Sequence, residues 1–213
     1  DEAAVERLRR TNPIFQELTH DGLHVASLYF AALGERLKLI HVFRDPIGNI
    51  YEQNIRNFGT RIGVDPRELK ISYKWGKHTV PIMAIGREEE YLSANPMERL
   101  VLTVDAMFRY NTQGFIDLSE DEKKQVFFIE FEDFLVNPDN YIKGIESFIG
   151  ECFGKAKKRI LQRERCPREI DPSERSRRSE AILSNIGDPY KDIFIKLIND
   201  YDKKPWLNWA ARS

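Results

Sequence analysis

Residues 38–43 read KLIHVF, a mostly apolar run that stops abruptly at Arg44-Asp45-Pro46. The run is too short for a helix and is apolar on consecutive positions, which is the pattern of a strand covered on both faces. A second run of this kind, QVFFIEF, occupies 125–131. Doubly covered strands belong to parallel sheets, and parallel strands need long crossovers that usually carry helices. The intervening sequence supplies helical patterns. Apolar residues recur at helical spacing over 22–37, a helix begins at Pro46 and runs to about Phe58, and 95–115 forms a long helix. Residues 137–150 open on Asn-Pro and close on Gly, and 190–204 make a final amphipathic helix. Residues 2–10 also read as helical, 14–20 as a short strand, and 59–96 as irregular, with turn signals every few residues. The expected fold class is therefore α/β, with a central parallel sheet flanked by helices.

In such sheets ligands bind outside the carboxyl ends of the strands. Arg44 and the segment after Phe131 both fall at such ends. A cation followed by a helix start at the mouth of a buried strand suits an anion, because the first N–H groups of a helix have no partner within it.

Composition narrows the partners. Lys and Arg total 33 against 34 Asp and Glu, a formal net charge of −1, so no overall basic field favours nucleic acid. Any basic site is local. Cys152 and Cys166 form no CxxC and have no His-rich neighbourhood, which argues against zinc and against a disulfide framework. Two thiols of this kind fit a reducing, cytoplasmic setting. No apolar run approaches the roughly 18 residues of a membrane-spanning helix. DEAAVERLRR at the start is a charged helix former and lacks the features of a signal peptide. A longer N-terminal part carrying an anchor would instead imply the Golgi lumen.

Two segments in order resemble the sulfotransferase family, whose members move a sulfonate from 3′-phosphoadenosine 5′-phosphosulfate (PAPS) to a hydroxyl or amine and release 3′-phosphoadenosine 5′-phosphate (PAP). In that family a buried strand ends in Arg, Asn or Asp, and Pro, and a Ser lies eight residues after the Arg. Here KLIHVF leads into Arg44-Asp45-Pro46. Further on, the family has a strand running into Tyr-Glu-Asp-Leu, then Pro and a helix closing near Phe-Leu-Gly. This chain has Phe131-Glu132-Asp133-Phe134, Pro138 and Phe148-Ile149-Gly150. The resemblance covers roughly 14–150 and implies a P-loop NTPase-like sheet of the sulfotransferase type, in a single domain over 1–213. Thr19-His20 is similar to the family's Thr-His pair, which implies that His20 is the general base, although the family's preceding Lys is replaced by Glu17-Leu18.

The same resemblance implies that Arg44 holds the 3′-phosphate. The Ser position is taken by Glu52, where a carboxylate 4 Å from a phosphate charge would cost about 4 kcal/mol at an effective dielectric of 20. Glu52 is therefore expected to be protonated, turned away or paired with a cation such as Arg56, and a one-residue shift would bring Gln53 to the phosphate instead. Of the basic cluster Arg175, Arg177 and Arg178, the first two are expected to close over the nucleotide, the alternative being a solvated helix start capped by Ser173. Glu132 is expected to hold loop N–H groups, and His41 to be a core histidine. The family's Lys-bearing phosphosulfate loop has no counterpart in residues 1–213, so the domain is expected to lack its N-terminal strand and loop. The 59–96 region, with Tyr73, Lys74, Trp75, Lys77 and His78, would face a small-molecule or glycan acceptor. Two alternatives stay open: a sulfotransferase-like protein that binds a nucleotide or sulfated ligand without turnover, and a P-loop kinase-like enzyme.

Overall fold

The computed structural model describes all residues except 1, 12, 13, 15, 20, 21, 65–70, 155 and 211–213, and for Leu8, Asn208 and Ala210 it describes the backbone. Helices α1 (Glu2–Thr11) and α2 (Ala26–Leu33) precede strand β1 (Leu39–Phe43). Then come α3 (Pro46–Ile55), the short α4 (Phe58–Arg61) and a hairpin of β2 (Ser72–Trp75) and β3 (His78–Pro81). Helices α5 (Glu88–Ser93), α6 (Pro96–Ile116) and α7 (Glu120–Lys123) lead to β4 (Val126–Glu130). The rest is helical: α8 (Phe131–Val136), α9 (Pro138–Ile149), α10 (Ala156–Arg163), α11 (Pro172–Leu183), α12 (Tyr190–Asp202) and α13 (Pro205–Ala210).

The two apolar runs pair with each other. β1 and β4 are parallel, with Leu39 opposite Val126 and Phe43 opposite Glu130, so both end at the same level. The fold is thus mixed α/β, as expected, but mostly helical, and among the described residues the parallel sheet has only these two strands. Alternation divides its side chains. Leu39, His41 and Phe43 share a face with Val126, Phe128 and Glu130, while Ile40 and Val42 share the other with Phe127 and Ile129. On the first face Phe43 stacks on Trp206 of α13 at 4.2 Å, and Phe128 meets Phe115 of α6 at 5.0 Å. On the second face α9 covers β4, with Phe148 5.5 Å from Phe127. Desolvation pulls His41 down to about 4, so it is a neutral imidazole, half-buried against the Phe43 ring and not in the core proper as expected.

Helix α6 is the axis of the molecule. Asn95 caps it in a reciprocal arrangement with Glu98, and Pro96 sits in its first turn, where no N–H is needed. It packs against α3, α4 and α12 around Ile47, Ile50, Leu100, Val101, Phe194 and Leu197. At its far end Gly114 lets the Leu23 backbone approach so closely that a Cβ would lie 2.3 Å from the Leu23 carbonyl oxygen. That approach seats Leu23, Ala26 and Phe30 against Phe115.

Four expectations are corrected. Residues 14 and 16–19 form no strand. The 59–96 region is not irregular throughout: it holds the β2–β3 hairpin, whose Gly76 takes φ +58° at the turn, as a two-residue connection requires. β1 is not covered on both faces: Ile40 is 37% and Val42 48% exposed. Asp171, not Ser173, caps α11 through the Ser173 N–H at 2.9 Å. Among the described residues no helix is long and apolar enough to cross a membrane.

Candidate anion site

Arg44 and Asp45 leave β1 at its carboxyl end, and the chain turns at once into α3. Asp45 is the N-cap: its Oδ1 accepts the Ile47 N–H at 3.1 Å, and Pro46 fills the first turn. β4 ends at the same level, so Glu132 comes beside Asp45. Glu132 Oε1 accepts the Asp45 N–H at 3.0 Å and Oε2 accepts the Tyr201 hydroxyl at 3.1 Å. Glu132 therefore holds a loop N–H, the role its position suggested, and Tyr201 on α12 completes the bridge.

The Arg44 guanidinium lies 5.1 Å above the Phe131 ring. Its Nε is buried and has no hydrogen-bond partner. Buried polar atoms in native proteins are nearly always satisfied, and an exception asks for an explanation such as a ligand.

Helix α11 packs against α3 and brings two cations to its face. Arg175 Nε donates to Asp45 Oδ2 at 2.7 Å, and its Nη2 donates to Asp202 at 2.7 Å. Arg178 lies 5.0 Å over the Tyr51 ring, with Nη2 2.6 Å from Glu174 and 3.2 Å from Glu52. Its Nη1 passes beside Gly48 in the first turn of α3. Arg177 points elsewhere: it pairs with Asp171 at 2.9 Å and its side chain is 67% exposed. The structure thus brings Arg175 to Asp45, the residue after Arg44, and Arg178 to Glu52, and leaves Arg177 outside. Arg178 takes the place expected of Arg177, for a reason the sequence held. Residues 175 and 178 are three apart and share a helix face, whereas 175 and 177 do not. Glu52 is paired with a cation, as required, but the cation is Arg178 and not Arg56. Gln53 donates to Asn49 at 2.8 Å along its own helix. His20, the expected base, lies outside the described residues. Tyr201 was missed, because nothing local marks a residue whose partner is 69 positions away.

Burial pushes the Glu132 carboxyl above its ordinary value of 4.5, helped by the adjacent Asp45 carboxylate and opposed by hydrogen bonds from the Asp45 and Glu132 backbone N–H groups and the Tyr201 hydroxyl. The folded protein then holds this proton more tightly than the unfolded chain, so the contribution to stability falls as pH rises from 4.5 through the folded value. Glu132→Gln, which keeps an acceptor for the Asp45 N–H, should flatten that fall. Urea unfolding at stepped pH above 4.5 checks it, and a variant as pH-dependent as the parent there would place the proton elsewhere.

Among the described residues no group of three or more His, Cys, Asp or Glu is arranged to hold a metal ion. What the site offers is an unpartnered Arg44 Nε, two further guanidinium groups held by carboxylates and a helix N-terminus, a set suited to a phosphate or sulfate group. Comparison of the chain with models of known protein families, with curated proteins and with solved structures finds no match in any of the three.

Proposed function

We propose that this protein is a PAPS-dependent sulfotransferase acting on a hydroxyl acceptor, a small molecule or a glycan. The buried, unpartnered Arg44 Nε at the carboxyl end of β1, beside the first turn of α3, carries this reading. It fits the 3′-phosphate that separates PAPS and PAP from ordinary adenine nucleotides. Arg175 and Arg178 would exchange carboxylate partners for phosphate oxygens, and Glu132 would keep the Asp45 loop in position. PAPS itself supplies the sulfonate and leaves as PAP. Sulfonate transfer relies on positioning and positive charge more than on covalent chemistry, so a guanidinium cluster is the apparatus it needs. The P-loop-like sheet of the resemblance belongs to this proposal, with His20 as the base that takes the acceptor proton.

The test is a calorimetric titration with PAP against ADP. Tight binding of PAP alone supports the assignment, and equal affinity for the two nucleotides would remove it. His20→Ala should lower turnover at least a hundredfold with little change in PAP affinity, read by product formation alongside the titration; a fully active variant would take His20 out of the mechanism. Glu52→Ser should tighten PAP severalfold, since Arg178 then has one carboxylate fewer to leave. An unchanged affinity would put Arg178 outside the site.

A second reading is a nucleotide- or sulfate-binding protein without turnover. The Glu52–Arg178 ion pair favours it, because a carboxylate that already satisfies a ligand's cation weakens donor binding. PAP binding without product formation across an acceptor panel would select this reading.

A further inference from the structure

Gly48 stands in the first turn of α3, just after Pro46-Ile47. Glycine is the poorest helix former apart from proline, and inside a helix it usually answers to a positive φ or to a neighbour too close for a Cβ. Neither applies here. Gly48 does not take a positive φ. A Cβ built on it would meet Arg178 Nη1 at 3.7 Å, an ordinary van der Waals distance, and nothing nearer among the described residues. The N–H of the same residue is spare. Pro46 has none to give, the Ile47 N–H goes to Asp45 Oδ1, and the Asn49 N–H goes to the Asp45 carbonyl oxygen. A cap oxygen can serve either the second or the third residue of its helix, and Asp45 serves Ile47, so the Gly48 N–H finds no acceptor among the described residues. Arg178 reaches this spot from α11. Glu52 and Glu174 hold it by Nη2, and Nη1 is the atom that lies beside Gly48.

We propose that Gly48 carries no side chain because the 3′-phosphate of PAP lies against the start of α3, accepting the Gly48 N–H and a hydrogen bond from Arg178 Nη1. This role rests on the reading of the protein as one that binds PAP, and it adds the residue that makes room for the phosphate. In a helix each Cα–Cβ bond leans toward the N-terminus, so a side chain at 48 would project into the approach to its own free N–H. A bare Cα leaves that approach open on the side where Arg178 Nη1 stands. A phosphate oxygen suits both donors, since the helix start offers a partial positive charge and the guanidinium a full one. A nucleotide without a 3′-phosphate leaves both unused.

The test is PAP binding to Gly48→Ala, measured by calorimetry beside the parent. The variant should bind PAP at least tenfold more weakly and yet unfold at a higher urea concentration, because alanine favours the helix and its methyl group has room. Nuclear magnetic resonance with isotopic labelling of the 12 glycine amides gives a second view. The peak missing from the variant identifies Gly48, and PAP should move it downfield in the parent while ADP leaves it in place. PAP binding as tight in the variant as in the parent would overturn the role of Gly48 and leave the PAP reading intact. Weaker binding with a lower urea midpoint would overturn it too, since the fold itself would then be damaged. So would a Gly48 peak that PAP leaves still, or that ADP moves as far. A parent that binds no PAP would remove the PAP reading itself, and this role with it.

Discussion

Replacing Arg44 with alanine should weaken PAP binding at least tenfold and leave ADP binding unchanged. Tenfold is about 1.4 kcal/mol, the lower end of what one charge-assisted hydrogen bond contributes. The same substitution should cost little stability. The guanidinium loses its contact with the Phe131 ring, but the fold is relieved of a buried Nε that has no partner. An unsatisfied buried donor costs about 1–3 kcal/mol, which offsets the lost ring contact. Binding and stability should therefore part company, a pattern that general damage to the fold does not produce. Arg44→Lys should fall between parent and alanine, because an ammonium keeps the charge and loses the planar fork. Calorimetry with both nucleotides and a urea titration check the set. Parental PAP affinity in the alanine variant would end the 3′-phosphate assignment.

The second large effect is on the fold. Trp206→Ala should destabilise the protein by about 3–5 kcal/mol, the usual cost of emptying a buried aromatic site. Trp206 is 1% exposed, stacks on Phe43 and donates to Glu130, so its removal opens a cavity and leaves that carboxylate with Lys204 alone. Phe43 precedes Arg44, which means the loss should also loosen the anion site. Against a typical total of about 5–15 kcal/mol, such a change is a large share of the stability. Trp206→Phe keeps a ring and loses the N–H, and should cost about 1–2 kcal/mol. Urea midpoints for the two variants separate packing from hydrogen bonding, and an alanine variant within 1 kcal/mol of the parent would show that α13 contributes little.

Much of this was readable before the structure. The two apolar runs specify strands and they do pair, but cover on both faces was expected and β1 lacks it, its Ile40 and Val42 being exposed. Pro46 and Pro96 mark helix starts for steric reasons that tertiary context does not override. The hairpin was harder to see. Its flanks, SYKW and HTVP, are polar and largely exposed, so no strict alternation announces them, and Gly76 was the one strong signal. Arg44 was legible from its place after β1. The rest of the site depends on chain that returns from far away: Arg175 and Arg178 from α11, Tyr201 from α12. Sequence named the cluster on α11, and only the packing of α11 on α3 decided which of its arginines face inward.

The carboxylates gathered at this site bear on how a ligand arrives. Arg175 and Arg178 pair with Asp45, Glu52, Glu174 and Asp202, and Glu132 adjoins Asp45, so that with Arg44 the site sets three guanidinium groups against five acids. Seen from beyond a Debye length of about 8 Å, such a group projects almost no attraction for an anion. Encounter would then be unsteered, and the association rate nearly independent of ionic strength. Discrimination would fall to the dissociation rate, set at contact as each guanidinium trades an internal carboxylate for an oxygen of the ligand.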